Sequence, residues 1–421
     1  MTTYLVKIKS RFGALWEHKV FRFAIIIHGF YFILSMILTL IFFRDQNDFL
    51  VYYKVGEVFI HNINDLYNRA NYLWPFRYFP ISAIFFVPFY LVGFILGFIL
   101  FNFINLILNI LICILLYKII LHIRRDDHER EDKRIILYIS LFLMSLPNLF
   151  NYILGQINLY ITLLILLSLF LFLTRDGLKW DLLASIILGC SVIIKPIAIF
   201  MIPFLLILKF NNEQGRFKFD ILRSLIRIIG VILPLSLNLF LFLLYPKLWE
   251  GFLATNFTGE EPIILNHSFS LTKIIINFCI FYNISYNPLL IFLLILFIIG
   301  GIGFLMYIFR KTNNQSIIFA YLFGILIMLI AYYDSWTHHL LALTPILIVL
   351  IFYLPRKSEI TKNYVKPSFF FFSFFDLGFI GIWFIIQNWF PFNFASTVFL
   401  FILFYGSSKF CLTEDRNNQK S

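Results

Sequence analysis

The amino-acid sequence predicts an all-α membrane protein, a polytopic helix bundle of about twelve transmembrane helices. Of its 421 residues, 61% are hydrophobic and only 13% are charged. A soluble domain is about half apolar and about a quarter charged, so a soluble fold is excluded. The first twenty residues are polar and basic and lack the apolar core of a cleavable signal peptide. We therefore expect the first span to direct insertion.

Polar breaks divide the longer apolar runs into separate helices. The segment from Asn151 to Asn158 divides one run, and Lys195-Pro196 divides another, because proline removes a backbone donor. The apolar run at 80–121 is too long for one span. We therefore expect a short helix from Pro80 to about Leu96 and then a span from about Gly97 to Leu121. The apolar runs occupy roughly 22–43, 80–121, 135–174, 181–209, 224–245, 288–309, 317–333, 338–354, 368–387 and 393–411.

Lysine and arginine residues predict the orientation, because cytoplasmic loops carry an excess of them. With the N-terminus inside, the cytoplasmic segments hold 26 of the 34 Lys and Arg residues, and the outer loops hold six. The sequence therefore predicts a multi-pass protein of the cell membrane with both termini cytoplasmic. The net charge of +12 lies mainly in these short loops, so we expect membrane lipids as partners and no nucleic acid.

Two predicted outer loops are long, at residues 44–80 and 246–287, and the other connections are short. We expect residues 1–421 to form a single integral membrane domain with a long first outer loop. Long loops in compact bundles are usually functional or disordered, and the aromatic content of these two favours order. Polar residues that would be costly in a bilayer converge near the outer face in this topology. They are Asp48, Tyr78, Gly155-Gln156-Ile157-Asn158, Lys195, Asn266 and Asp334 to His339. An active site on the outer face is therefore predicted.

The order of these polar segments resembles the GT-C superfamily of membrane glycosyltransferases and, more narrowly, glycosyltransferase family 87, the polyprenyl-phosphate-mannose-dependent mannosyltransferases. The resemblance extends from about residue 45 to 345. One position departs from the family pattern: this sequence has Phe79 where the family often has a second proline before the next helix. The segments that carry it are Asp48 with Tyr52 and Tyr53, Asp65-Leu66-Tyr67, Arg77-Tyr78-Phe79-Pro80, Gly155-Gln156-Ile157-Asn158, Ile194-Lys195-Pro196, Asn266-His267-Ser268 and Ser335-Trp336-Thr337-His338-His339.

The resemblance implies an inverting glycosyltransferase. It would move a hexose, mannose in particular, from a polyprenyl-phosphate sugar donor to a lipid or glycan acceptor at the non-cytoplasmic face. A lipid or polysaccharide transporter or flippase is the alternative from another class. A transporter should hold its key polar residues near the midplane, often in repeats, whereas here they collect near one face. This distribution favours the enzyme.

Asp48 is the residue that we expect to act as the catalytic base. Inverting transfer needs a group that takes the proton of the acceptor hydroxyl. The leaving group is a lipid phosphate, which is already stable as an anion, so one carboxylate suffices where ordinary glycoside hydrolysis needs two. Asp45 is a rival base. The structural alternative is that Asp48 caps a helix or pairs with Arg44.

Lys195, His338 and His339 are the candidates for binding the donor phosphate. A lysine at membrane depth usually pairs with a carboxylate or lines a polar cavity, and it can stabilise the charge of a departing phosphate. The histidines can donate hydrogen bonds, or they can simply be solvated by lipid headgroups. A His-His pair with one Asp lacks the spacing of a metal site, so we expect no metal and no cofactor.

Amide and aromatic side chains are the candidates for sugar and acceptor contacts. Amides suit sugar hydroxyls, but they also satisfy backbone groups freed at breaks between helices. Aromatic rings stack on sugar faces, but they also form the interfacial aromatic belt of membrane proteins. The candidates are Tyr52, Tyr78, Gln156, Asn158, Asn266 and Trp336.

Overall fold

Helices account for most of the described structure and many of them are apolar, which confirms the all-α polytopic fold. The computed structural model describes residues 13–124, 132–211, 214–257, 268–311, 316–386 and 395–413. Among these residues, six helices are long and apolar enough to cross a membrane: Lys19–Phe42, Phe94–Ile123, Lys133–Leu154, Ile221–Leu244, Pro288–Ile308 and Ser396–Thr413. Six further helices are apolar but shorter, with 10–17 residues each.

The helices include segments of the predicted apolar runs and further helices within both predicted long loops. The helices are α1 (Lys19–Ile37), α2 (Asp48–His61), α3 (Phe94–Ile123), α4 (Asp132–Leu143), α5 (Leu146–Leu154), α6 (Asn158–Thr174), α7 (Leu178–Ile194), α8 (Ile221–Leu244), α9 (Pro246–Phe257), α10 (Leu271–Phe281), α11 (Pro288–Ile308), α12 (Ile317–Ala331), α13 (Leu340–Tyr353), α14 (Asp376–Ile386) and α15 (Ala395–Thr413). The strands β1 (Leu208–Asn211) and β2 (Arg216–Phe219) form an antiparallel hairpin.

Short helical turns join these elements. The 3₁₀ turns are Ile63–Asp65, Arg69–Asn71, Pro80–Phe86, Pro196–Leu205 and Thr337–His339. The π-helical turns are Leu38–Phe42, Thr361–Val365 and Phe371–Phe375, and short α-helical turns are Val87–Leu91 and Lys366–Phe370. The short helix predicted from Pro80 to about Leu96 is present but ends at Leu91, and the span after it begins at Phe94.

The first long loop, 44–80, is built around α2. Asn47 caps this helix, because its Oδ1 accepts a hydrogen bond from the Leu50 N–H at 2.9 Å. Asp48 is the first residue of α2. A carboxylate is favoured there, since the helix dipole places partial positive charge at the N-terminus.

The centre of the bundle is formed by α12 and α13. All residues of α12 are buried, and so are nearly all of α13. The turn Pro196–Leu205 packs on α12, while α7 packs between α6 and α8. In contrast, α1, α8 and α11 present many exposed large apolar side chains, as expected for helices that face lipid.

The two predicted helix breaks lie side by side. After α5, Gly155 adopts the left-handed conformation with φ 62° and ψ 46°, and α6 begins at Asn158. At the end of α7, Lys195 is extended and Pro196 begins a 3₁₀ turn. Because α6 and α7 are consecutive and pack together, the start of α6 lies beside the end of α7. This arrangement places the polar residues of both breaks in one location.

Candidate active site

Gln156 connects Asp48 to the rest of the polar cluster. Its Nε2 donates a hydrogen bond to Asp48 Oδ2 at 2.5 Å. Its Oε1 accepts from the Tyr52 hydroxyl at 3.1 Å. The Tyr52 hydroxyl also lies 3.0 Å from the Tyr78 hydroxyl. The structure therefore brings together four predicted site residues from three separate parts of the sequence.

Lys195 enters the same cluster from the opposite side. Its Nζ donates to Asn158 Oδ1 at 3.0 Å and lies 3.4 Å from Gln156 Oε1. It also lies over the ring of Tyr78, 5.8 Å from the ring centroid. Lys195 is 6% exposed, so its charge is almost fully enclosed by these amides and the aromatic ring. A buried lysine held this way can present its positive charge to an anion.

A glycine allows Gln156 to approach Asp48. A Cβ atom at Gly155 would lie 2.5 Å from Cβ of Phe49, the residue after Asp48. The left-handed backbone at Gly155 is also unfavourable for residues with a side chain. The Gly155-Gln156 segment therefore packs directly on the first turn of α2, and only glycine fits this contact.

The electrostatics of Asp48 suit a proton acceptor. Burial raises the pKa of the Asp48 carboxyl above its usual value, since a low-dielectric surrounding disfavours charge. The hydrogen bond from Gln156 and the positive charge of Lys195 act in the opposite direction. Asp48 as a residue is half-buried. A more basic carboxylate can take a proton from a hydroxyl group.

A long apolar cavity begins at this cluster. It has a volume of about 740 Å³ and runs between the Pro196–Leu205 turn and α11. Arg77, Tyr78 and Lys195 line one end, and the remaining wall is almost entirely aliphatic and aromatic. The cavity therefore combines cations at one end with a hydrocarbon-like body.

Arg77 is a residue that sequence reasoning did not select. It forms an ion pair with Asp334 at 3.1 Å and a hydrogen bond to the Tyr333 hydroxyl. Its guanidinium also lies over the Tyr333 ring. The sequence signal was available, since Arg77 precedes Tyr78 and Asp334 precedes the histidine pair. Their pairing across the fold could not be predicted without the structure.

His338 and His339 lie in the buried turn Thr337–His339, which packs against α5. Both histidines are within electrostatic reach of Lys195. His339 Nδ1 accepts from the Trp336 backbone N–H at 3.1 Å, so its Nε2 carries the proton. That buried Nε2 has no hydrogen-bond partner among the described residues.

Trp336 lies next to the histidine turn. The half-buried Trp336 contributes its backbone to the histidine turn, and other described residues form the walls of the cavity. Asn266 lies outside the described residues. Among the part of the chain that is described, no three His, Cys, Asp or Glu side chains group as metal ligands would.

Comparison with protein-family models identifies the chain. The model of glycosyltransferase family 87 matches residues 76–332, which is more than half of the sequence. The chain belongs to glycosyltransferase family 87. It is therefore a glycosyltransferase, and this family membership favours the enzyme over the transporter alternative. Searches of curated proteins and of solved structures gave no match.

The matched region of this family 87 enzyme is narrower than the 45–345 range that the sequence suggested. It includes Tyr78, Gln156 and Lys195 but begins after Asp48 and ends before His338. The structure joins Asp48 to the matched region through the Gln156 amide. The cluster therefore contains residues of the matched region and residues of α2, which precedes that region in the sequence.

Proposed function

We propose that this family 87 enzyme transfers a hexose from a polyprenyl-phosphate sugar to a lipid or glycan acceptor, with inversion at the anomeric carbon. One observation carries the proposal. The apolar cavity ends at Lys195 and Tyr78, and hydrogen bonds through Gln156 and Tyr52 connect this end to Asp48. A lipid chain, a phosphate and a reacting sugar would occupy the cavity, its charged end and the Asp48 cluster in that order.

The shape of the cavity supports a lipid-linked donor. Its wall on α11 extends from Pro288 to Phe304, about 24 Å at the rise of an α-helix. Leu293 and Phe297 on this wall are 50% and 80% exposed, so the cavity is open along the lipid-facing side of α11. A long hydrocarbon chain can enter such a groove sideways from the bilayer. A nucleotide sugar offers no apolar group of this length.

The charged end of the cavity supports the proposal that the donor carries a phosphate group. Lys195 contributes a buried positive charge, and Arg77 adds a guanidinium on the same wall. Charge that develops on a leaving phosphate is stabilised by cations fixed in advance in a site of low dielectric constant. His338 and His339 are proposed as further phosphate contacts, because His339 Nε2 is a buried donor without a partner among the described residues.

The proposed reaction needs one carboxylate. The acceptor hydroxyl attacks the anomeric carbon from the face opposite the phosphate, and its proton passes to Asp48. The bond between the anomeric carbon and the phosphate oxygen breaks, and its electron pair remains on the lipid phosphate beside Lys195. No proton has to be delivered to the leaving group, because a phosphate ester is stable as an anion at neutral pH.

Sugar and acceptor contacts are proposed for the polar and aromatic residues around Asp48. Gln156 and Asn158 would bond sugar hydroxyls, and Tyr52 and Tyr78 would place rings beside the sugar. We retain Asn266 and Trp336 as proposed acceptor contacts on the sequence argument alone. Mannose is the sugar that the family resemblance favours. The excess of Lys and Arg in the opposite loops supports a site on the non-cytoplasmic face, with both termini in the cytoplasm.

A donor comparison tests this proposal. The purified enzyme is reconstituted in liposomes with a membrane lipid extract as acceptor. Tritium-labelled mannose or glucose is then supplied either as the polyprenyl-phosphate sugar or as the corresponding nucleotide sugar. We expect labelled product only from a polyprenyl-phosphate donor. Product formed from nucleotide sugars alone would overturn the proposed donor class.

A further inference from the structure

Helix α3 carries a row of buried amides inside an apolar span. Asn102, Asn105 and Asn109 are each 0% exposed. Their spacing of three and then four residues places them on one face of the helix. An amide at membrane depth is costly unless it is bonded, so three on one face require a physical reason.

Asn109 ties helices together away from the polar cluster. Its Nδ2 donates to Asn148 Oδ1 at 3.0 Å and lies 2.9 Å from His28 Nε2. These contacts join α1, α3 and α5, and the same nitrogen lies 3.4 Å from the Tyr152 hydroxyl. Asn109 therefore has a packing role.

Asn102 and Asn105 have a different target, the turn that carries Gln156. Asn102 Nδ2 donates to the Tyr152 carbonyl at 3.0 Å, in the last turn of α5. Asn102 Oδ1 accepts from Asn105 Nδ2 at 3.2 Å. The same Asn105 nitrogen lies 3.5 Å from the Gln156 carbonyl oxygen. The two amides thus reach the backbone on both sides of Gly155.

We propose that Asn102 and Asn105 are positioning residues that fix the 152–156 turn and thereby hold the Gln156 amide between Asp48 and Lys195. The Tyr152 carbonyl also accepts from the Gly155 N–H at 3.2 Å, so Asn102 adds a side-chain bond to the backbone cap of α5. With the backbone of Gln156 fixed, its side chain needs to order only its own rotamers to reach Asp48. The inference deepens the proposed function, because it assigns a support to the proposed base.

The ionisation of Asp48 reports the position of Gln156 without a transfer assay. Gln156 and Lys195 act directly on the carboxylate, and the hydroxyls of Tyr52 and Tyr78 interact with it electrostatically. The Gln156 hydrogen bond lowers the Asp48 pKa. Infrared difference spectra of the purified enzyme during a pH titration detect the carbonyl stretch of the protonated acid. The band of Asp48 is assigned by its loss in Asp48→Asn.

We expect Asn102→Leu to move the Asp48 midpoint to higher pH by about one unit, the size expected for a weakened hydrogen bond to a charged group. The matched control is Asn109→Leu, an equally buried amide on the same helix face. Asn109 reaches this turn only at the Tyr152 hydroxyl, 3.4 Å away, and not at its backbone, so the control should leave the midpoint unchanged. Asn102→Ser, which is the smaller disturbance, should shift it in the same direction and covers the case in which the leucine variant does not fold.

A double variant decides whether the effect passes through Gln156. In the Gln156→Ala background, Asn102→Leu should add no further shift, since the hydrogen bond is already lost. An equal shift in both backgrounds would overturn the inference, and so would an unchanged midpoint in a folded Asn102→Ser enzyme. The titration needs no sugar donor. Its result can therefore be interpreted even if the enzyme proves to use another class of donor.

Discussion

Gln156 donates a hydrogen bond to Asp48 across 108 residues of sequence. The oxygen of the same amide faces Tyr52 and Lys195. One side chain therefore orients the proposed base and lies beside the proposed phosphate-binding cation. Changes that move Gln156 should affect the transfer rate more than the stability of the bundle.

Gly155→Ala should lower the transfer rate by about 100-fold, because a displacement of reacting groups by about 1 Å has this effect. The added Cβ would overlap Phe49 and push α2 away from Gln156. The control is Gly215→Ala, which has a similar left-handed φ of 60° but no atom within 4 Å of the added Cβ. It should carry the same backbone strain of about 1–2 kcal/mol and keep its activity. Equal losses in both variants would show that strain alone is responsible.

Lys195→Ala should weaken transition-state stabilisation by about 2–4 kcal/mol, as expected for losing one fixed electrostatic contact to the departing charge. Lys195→Arg should retain part of the activity, since it keeps the charge. Lys54→Ala removes a more exposed lysine that pairs with Glu57, and it should have little effect. Steady-state rates with a polyprenyl-phosphate sugar measure the difference. Unchanged turnover in a folded Lys195→Ala enzyme would leave this lysine with a structural role only.

The transfer rate should fall toward acidic pH at a higher pH than an ordinary aspartate would cause. The base must be ionised to accept a proton. Because burial raises the pKa of Asp48, the carboxylate becomes protonated at a pH above the usual aspartate pKa of about 4. Lys195 lowers this pKa, so Lys195→Gln should move the acidic limb further upward. Rates measured from about pH 4 to pH 8 at saturating donor show the limb. A rate that does not change across this range would contradict an ionising base.

Gly301→Phe should block the cavity to the lipid chain of the donor. Gly300 and Gly301 interrupt a wall that otherwise repeats large apolar residues every turn of α11, and a Cβ at Gly301 meets nothing within 4 Å. The variant should fold and raise KM for a long polyprenyl donor by about tenfold, equal to about 1.4 kcal/mol. A short-chain donor should be used normally. Gly29→Phe, at an equally open glycine of α1, is the control, and an identical KM in both variants would place the chain elsewhere.

The sequence predicted the helix breaks because their signals are local. Proline after Lys195 and the Gly155 turn interrupt helices by backbone chemistry alone. The distribution of Lys and Arg residues and the cost of polar groups in lipid then predicted that Asp48, Gln156 and Lys195 lie near the same end of the bundle. The structure places these three residues together.

The partners within the cluster could not be predicted, because they depend on contacts between distant segments. Nothing local indicates that the Gln156 amide bonds Asp48, or that Arg77 pairs with Asp334. The row of asparagines on α3 was visible as polar residues in an apolar run. Only the structure separates Asn102, which bonds the backbone of the turn, from Asn109, which bonds side chains of other helices.

The most direct test of the proposed mechanism is transfer by Asp48→Asn in proteoliposomes supplied with a polyprenyl-phosphate sugar. This change keeps the size of the side chain but removes its ability to accept the proton, so the rate should fall by about 10²–10⁴ with donor binding preserved. Asp45→Asn, made in parallel, should have a mild effect. A wild-type rate in Asp48→Asn with a loss in Asp45→Asn would make Asp45 the base. Full activity in both variants would contradict a carboxylate base.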